Sequence, residues 1–302
     1  VNSVKKVLYI VTPGKHSEAV FNYAKQIAAA KGNLLTVLSI SPKIPNRLHR
    51  FLTGLSGSEI EQLIAKEEES QIRDLVSQSI KTEPQTSLLF RIGDLLETVI
   101  EEVKSTPYSL VIKEKEEPEK SISHASPDFK LLRNCPVPVL LLEPNHLNGF
   151  QEICVAIDPL HEDPNNAPLN QRLLATAREA AKREQSNLHI VSAWKLFGDD
   201  FIRHRMDPDE FNQAEHAYKE NVEKEMQKVV SASNYPGTKE SLHLLHGDPK
   251  YVIPHFLKTH HIDLLVIGTV VRTGLQGVLI GNTAEKILGD TQCSLLTLKP
   301  EE

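Results

Sequence analysis

Apolar residues along this chain collect in short unbroken runs, separated by longer stretches whose apolar positions recur at helical spacing. The first run, Val7-Leu8-Tyr9-Ile10-Val11, ends at Thr12-Pro13; its counterpart, Ile153-Cys154-Val155-Ala156-Ile157, ends at Asp158-Pro159. Unbroken runs of this length read as strands buried on both faces. After each comes a helical pattern, Ala19 to Ala30 and Leu173 to Ala181, and then a second strand-like run, Gly32 to Ile40 and Ser186 to Trp194. Charged stretches with the length of long helices follow, Ser58 to Ser79 and Asp209 to Val230, before strands at Ser87 to Phe90 and Leu242 to Leu245. Each half closes on a fifth run, Val137 to Leu142 or Leu295 to Leu298.

The two halves keep register. Asn33 and Asn187 stand 154 residues apart, and the same offset joins Gly93-Asp94 to Gly247-Asp248 and Ser109 to Asp263. A constant offset over three segments marks a duplicated unit. Strands alternating with helices imply parallel pairing through right-handed crossovers, with helices on both faces of the sheet. The expected fold class is therefore α/β, with two tandem Rossmann-like domains, 1–144 and 150–302, each built on a five-stranded parallel sheet. The join falls in turn-rich Pro144-Asn145-His146-Leu147-Asn148-Gly149. Segments 41–57 and 197–208 carry Pro, Gly and mixed charge and are expected to be loops or caps. The fifth runs would form apolar sheet edges, an aggregation hazard that two duplicated edges remove by covering each other. The expectation is an intramolecular pseudo-twofold dimer of the halves; a further homodimer stays open.

Composition narrows the partners. The 302 residues are 40% hydrophobic and 25% charged, an ordinary globular balance. A net charge of −6 offers no broad attraction to nucleic acid or anionic membranes, and neither is an expected partner. The run from Val7 to Val11 is too short for a signal segment or a membrane span, so a cytoplasmic location is expected. Cys135, Cys154 and Cys293 form no C-x-x-C pair and read as buried thiols of a reducing compartment.

The candidate chemistry is sparse. His243 with His246, and His255 with His260 and His261, are the densest histidine groups, but none has the helical His-x-x-x-His spacing of a zinc hydrolase, and no metal is expected. His161-Glu162-Asp163 reads as a solvated turn. No nucleophile elbow, dinucleotide fingerprint or Walker loop is present, so no catalytic residue is assigned and the chain reads as a non-enzyme, with weak ATPase activity left open.

Three motifs carry a family resemblance. Val155-Ala156-Ile157-Asp158, Gly247-Asp248-Pro249, and Ile267-Gly268-Thr269 running through Gly281-Asn282-Thr283-Ala284-Glu285 resemble the first strand, fourth-strand turn and nucleotide loop of universal stress proteins. Cys135-Pro136-Val137-Pro138-Val139 is similar to the approach to that family's last strand. The resemblance covers nearly the whole chain and looks like the tandem, E-type bacterial members. It implies an adenine nucleotide alpha hydrolase-like fold in each half, a role in stress survival, and ATP, ADP or AMP as candidate ligands of the second domain. The implied ligand set is Asp158 with Ile157 and Ala193, then Gly268, Thr269 and Arg272, and the helix start Gly281-Asn282-Thr283.

Glycines in such a loop let backbone N–H groups approach phosphate, and the last one opens a helix whose N-terminus favours anions. The family's middle glycine is Val271 here, and its hydroxyl residue is Asn282 followed by Thr283. A β-branched residue resists positive φ and brings methyl groups to where phosphate would lie, which disfavours a triphosphate. Gly274 and Gly277 keep the loop flexible, and Arg272 offers a compensating cation. Asn282 with Glu285 also reads as a helix cap, and Asp158 as the cap of its own turn. In the first half the aligned stretch, Lys113 to Lys120, has no glycine and four glutamates, and Thr12 replaces the strand-end aspartate, so no nucleotide is expected there. Two alternatives stay open: a protein-interaction scaffold without nucleotide, its partner unspecified, or a pocket for an apolar, lipid-like molecule near Val270, Val271 and Val278-Leu279-Ile280.

Overall fold

A computed structural model of the chain describes residues 6–11, 17–30, 32–44, 56–77, 84–116, 126–144, 149–160, 166–196, 198–203, 205–232, 237–269, 286–289 and 291–300. The chain divides into two compact units, Val1–Leu147 and Asn148–Glu302.

Unit 1 runs β1 (Lys6–Val11), α1 (Glu18–Ala30), β2 (Leu34–Ser41), α2 (Gly57–Ser77), β3 (Thr86–Ile92), α3 (Leu95–Ser105), β4 (Tyr108–Glu114), α4 (Pro127–Asn134) and β5 (Val139–Leu142). Its strands pair in parallel in the order β3-β2-β1-β4-β5. Unit 2 runs β6 (Glu152–Ala156), α5 (Asn166–Glu184), β7 (Asn187–Trp194), the single turn α6 (Asp199–Ile202), α7 (Pro208–Ser231), β8 (Lys239–His246), α8 (Pro249–Thr259), β9 (Leu264–Gly268) and β10 (Ser294–Leu298). Its order, β8-β7-β6-β9-β10, is the same winding and is again all parallel. Each sheet is therefore a doubly wound α/β sheet whose order reverses between its first and fourth strands.

Helices cover both faces. Trp194 and His189 lie on opposite faces of β7, since their positions differ by an odd number. The Trp194 ring meets Tyr218 of α7 at 6.3 Å, and the His189 ring meets Phe256 of α8 at 5.8 Å. The central strands are buried accordingly, with Leu8, Tyr9, Leu35, Val111, Cys154, Val155, Leu265 and Val266 wholly or almost wholly enclosed.

The repeated Gly-Asp pair is a turn and a cap in one. Gly93 N–H donates to the Ser41 carbonyl and Gly247 N–H to the Trp194 carbonyl, each closing the strand onto its neighbour. The next residue then caps a helix: the Asp94 carboxylate accepts from Glu97 N–H and the Asp248 carboxylate from Lys250 N–H. Gly247 has φ +131°, and a Cβ there would lie 2.7 Å from Val252 Cγ1, so both backbone and packing require glycine.

Helix α5 starts at Asn166, ahead of the 173–181 stretch that apolar spacing alone marks. Pro168 sits in its first turn, where a missing N–H costs nothing. Asn166 and Asn170 are buried polar residues that break the apolar pattern for a reason visible in the crevice. Within 197–208, the loop contains α6.

Candidate functional site

Crevices of open parallel sheets lie outside the carboxyl ends of the strands, where the strand order reverses. In unit 2 that point falls between β6 and β9, with Ala156 opposite Ile267. Ile157 and Asp158 therefore leave one strand beside Gly268 and Thr269 of the other. Four of the expected ligand residues converge at this end. Ala193, on β7 opposite Leu245, stands one strand further along.

The main chain of Asp158 is held by α5. Asn170 Oδ1 accepts from the Asp158 N–H at 3.3 Å, while Asn170 Nδ2 donates to the Asp158 carbonyl at 2.9 Å. Asn166 Nδ2 donates to the same carbonyl at 2.5 Å. Asn170 is only 2% exposed, so its amide is committed to this peptide. The Asp158 side chain is exposed and accepts from Leu160 N–H at 3.3 Å, closing its own turn. Ile157 is buried and its N–H donates to the Val191 carbonyl at 3.0 Å. Neither asparagine is found by reading apolar periodicity; the signal is two amides one helical turn apart where a helix interior disfavours them.

Gly268 has a packing account. A Cβ there would lie 2.8 Å from Leu169 Cδ2 and 3.3 Å from Leu173 Cδ1, so glycine lets α5 lie close against β9. Gly268→Val is expected to lower stability by about 1–3 kcal/mol, the usual cost of overpacking. Chemical denaturation followed through Trp194 measures this, and Leu169→Ala in the same chain should recover part of the loss. Thr269 is 1% exposed, its N–H donating to the Leu298 carbonyl at 2.8 Å and its hydroxyl to the same oxygen at 3.3 Å. Its hydroxyl thus ties β9 to β10. Val271, Arg272, Gly281, Asn282 and Thr283 lie outside the described residues.

At the corresponding place in unit 1 the strand ends in charged side chains. Ile10 pairs with Lys113 as Ala156 pairs with Ile267, so Glu114 stands where Gly268 does. Glu114 Oε2 accepts from Ser17 N–H at 2.8 Å, just ahead of α1. Lys113 is 1% exposed, and its ammonium donates to Asp128 Oδ1 at 2.8 Å, the Glu114 carbonyl at 3.0 Å and Glu116 Oε1 at 3.3 Å. Asp128 Oδ2 accepts from Glu116 N–H at 2.8 Å. Burial first, then the Glu114 charge, pushes the Tyr9 phenol well above its ordinary value, so it stays protonated. A lysine within the apolar run Val111-Ile112-Lys113 is the sequence signal for this network. Among the described residues no group of three His, Cys, Asp or Glu side chains is placed to hold a metal ion, and no helix is long and apolar enough to cross a membrane.

Two copies of an open five-stranded parallel sheet, one with its switch-point crevice lined by a strand-end aspartate, define a protein of the Rossmann-like α/β class. The universal stress protein family model matches residues 149–299, half of the chain, and the chain belongs to the universal stress protein family. It is 25% identical over 309 aligned residues to the universal stress protein E homolog of Haemophilus influenzae, covering 99% of this chain and 98% of that protein. It is 27% identical to universal stress protein E of Escherichia coli K12 over 68% of this chain, a match that spans 65% of that protein. Among solved structures, a functionally unknown protein of Pseudomonas aeruginosa PAO1 superimposes with TM-score 0.74 at 24% identity, over 99% of this chain and 93% of that one. A universal stress protein of Archaeoglobus fulgidus gives TM-score 0.63 at 16% identity, over 97% and 98% of the two chains. The fold expected in each half is thereby established, and the match to the E homolog runs over nearly the whole length of both chains.

Proposed function

We propose that this chain is a non-enzymatic stress-response protein of the cytoplasm in which unit 2 alone holds a ligand of adenine-nucleotide type. The observation that carries the reading is the contrast between the two switch points. In unit 2 an exposed carboxylate, Asp158, stands on a fixed peptide beside Gly268. In unit 1 the equivalent position is Glu114, tied to Ser17 N–H, while the preceding Lys113 turns to the other face of the sheet and pairs with Asp128. Asp158 is suited to accept hydrogen bonds from the base or sugar, with Ile157 and Ala193 beside it. Arg272 and the Gly281-Asn282-Thr283 segment would serve the phosphates, with Val271 favouring a mono- or diphosphate over ATP.

Isothermal calorimetry with AMP, ADP and ATP tests this on the full chain. One saturable site per chain is expected, weakened at least about tenfold by Asp158→Ala, the loss expected for about 1.4 kcal/mol of contact energy. Binding should also be lost in Gly281→Val and kept in Glu114→Gln. Two sites per chain, or binding indifferent to Asp158, would remove the reading; no binding of any nucleotide would leave the scaffold or the pocket for an apolar molecule.

A further inference from the structure

Away from the crevice, titratable side chains of unit 2 gather where α8 covers β6, β7 and β8. Glu152 Oε2 is 2.7 Å from His189 Nε2, and His189 Nδ1 is 3.0 Å from His243 Nε2. Asn187 Nδ2 donates to the other Glu152 oxygen at 2.7 Å. Phe256 of α8 packs on both imidazoles, with centroids 5.8 Å from His189 and 4.7 Å from His243. His260, capping the end of α8, stacks on Phe256 at 3.9 Å and lies 5.7 Å from each of the other two rings.

The hydrogen bonds fix the tautomers. An ionised carboxylate only accepts, so His189 carries its proton on Nε2 and turns a bare Nδ1 to its neighbour. His243 must then donate from Nε2. This chain can absorb one more proton without losing a bond: His189 becomes imidazolium beside Glu152, donates from Nδ1 to His243 Nε2, and the His243 proton shifts to its own Nδ1. A second added proton leaves N–H groups facing each other across the 3.0 Å gap, with two positive charges under Phe256.

We propose that His189 and His243 form a proton-operated latch: the second proton breaks their hydrogen bond and releases α8 from the sheet, exposing Ile253, Phe256 and Leu257. The helix is built to depend on this docking. It has eleven residues with Pro254 in its interior, which removes a backbone donor, so little holds it together alone. Ile253, Phe256 and Leu257 are its buried residues.

The elements around the pair carry further titratable groups. From β6, burial keeps the Cys154 thiol neutral. Asp263 is committed to the Gln151 and Glu152 N–H groups at 2.7 and 2.9 Å. Lys239 on β8 and Lys258 on α8 are exposed. Burial, then the charges of His189 and His260, holds His243 below the ordinary imidazole value. Burial pushes the Glu152 carboxyl up, but the His189 and Asn187 hydrogen bonds outweigh it and leave it below the usual range. For His243 the sign follows: the released state takes up its proton first as pH falls through about 6.5, so docking weakens from there downward. Glu152 stays ionised through that window and supports only the first proton.

Hydrogen exchange of the full chain at about pH 7.5 and about pH 5, corrected for intrinsic rates, tests the latch. Amides of 253–259 should exchange at least about tenfold faster at the lower pH, a change of about 1.4 kcal/mol in the free energy of opening, with α5 unaffected. In His243→Gln the side-chain amide donates to neutral His189 through Nε2 or accepts from its imidazolium through Oε1 and cannot titrate, so the difference should vanish. Equal protection at both pH values in the unsubstituted chain, or the same acceleration in His243→Gln, overturns the proposal. Imidazole nitrogen spectra of the unsubstituted protein at a pH well above the imidazole range give a check that needs no variant: there both rings should show the Nε2–H tautomer, and an Nδ1–H tautomer at either position refutes the latch.

Discussion

Asp128→Ala should destabilise unit 1 by about 3–5 kcal/mol, because it strands a cation that the fold has removed from water. Lys113 satisfies its three ammonium protons with one carboxylate at 2.8 Å, one carbonyl at 3.0 Å and a second carboxylate at 3.3 Å. Removing the nearest carboxylate also leaves the Glu116 N–H without its acceptor. Lys113→Met with Asp128→Asn should behave differently. Methionine needs no counter-charge, and the asparagine oxygen still accepts from Glu116, so most of the loss should be recovered. The single tryptophan, Trp194, lies in unit 2, so unit 1 must be followed by far-ultraviolet dichroism or hydrogen exchange. A small effect of Asp128→Ala, below about 1 kcal/mol and typical of a surface pair, would show that water reaches the site.

Glu240→Ala is expected to have a comparable effect on unit 2, read by Trp194 fluorescence. Arg178 is 2% exposed, and its Nε and Nη2 donate to the two Glu240 oxygens at 2.7 and 2.9 Å. The same guanidinium donates to the Val230 carbonyl at 3.2 Å, so one side chain of α5 ties down the end of α7 and the start of β8. Breaking a buried bidentate pair costs about 3–5 kcal/mol, whereas Arg178→Met with Glu240→Leu should lie much closer to the parent. Burial pushes the Glu240 carboxyl up, but hydrogen bonds from Arg178 and Thr238 outweigh it and hold the group below its usual range. Its contribution is therefore present above about pH 4.3, the unfolded value, and disappears as pH falls through the lower folded value. Denaturation midpoints of the parent and Glu240→Gln should converge over that acidic window; parallel midpoints would place the pair's stabilisation elsewhere.

What the sequence discloses follows the physics of each signal. Strands such as β6 and the register linking Asn33 to Asn187 are legible because burial on both faces leaves an unbroken apolar run. Gly247-Asp248 is legible as a turn because glycine and a capping carboxylate act locally. Asn166 and Asn170 are not, since their partner is the Asp158 peptide and the bond exists only once α5 lies against the end of β6. The histidines show the same limit: proximity in sequence groups His243 with His246, whereas the fold sends His246 toward Glu215 and Trp194, and brings His189 and His260 to His243. Strand pairing chooses these neighbours, and no one-dimensional spacing encodes it.

The double clamp on Asp158 has a thermodynamic consequence. Ordering one residue's backbone costs about 1–2 kcal/mol, and here folding has already met that cost through Asn166 and Asn170. A molecule settling against this aspartate has only the torsions of one short side chain left to freeze. Selectivity there would then depend on which donors a ligand carries.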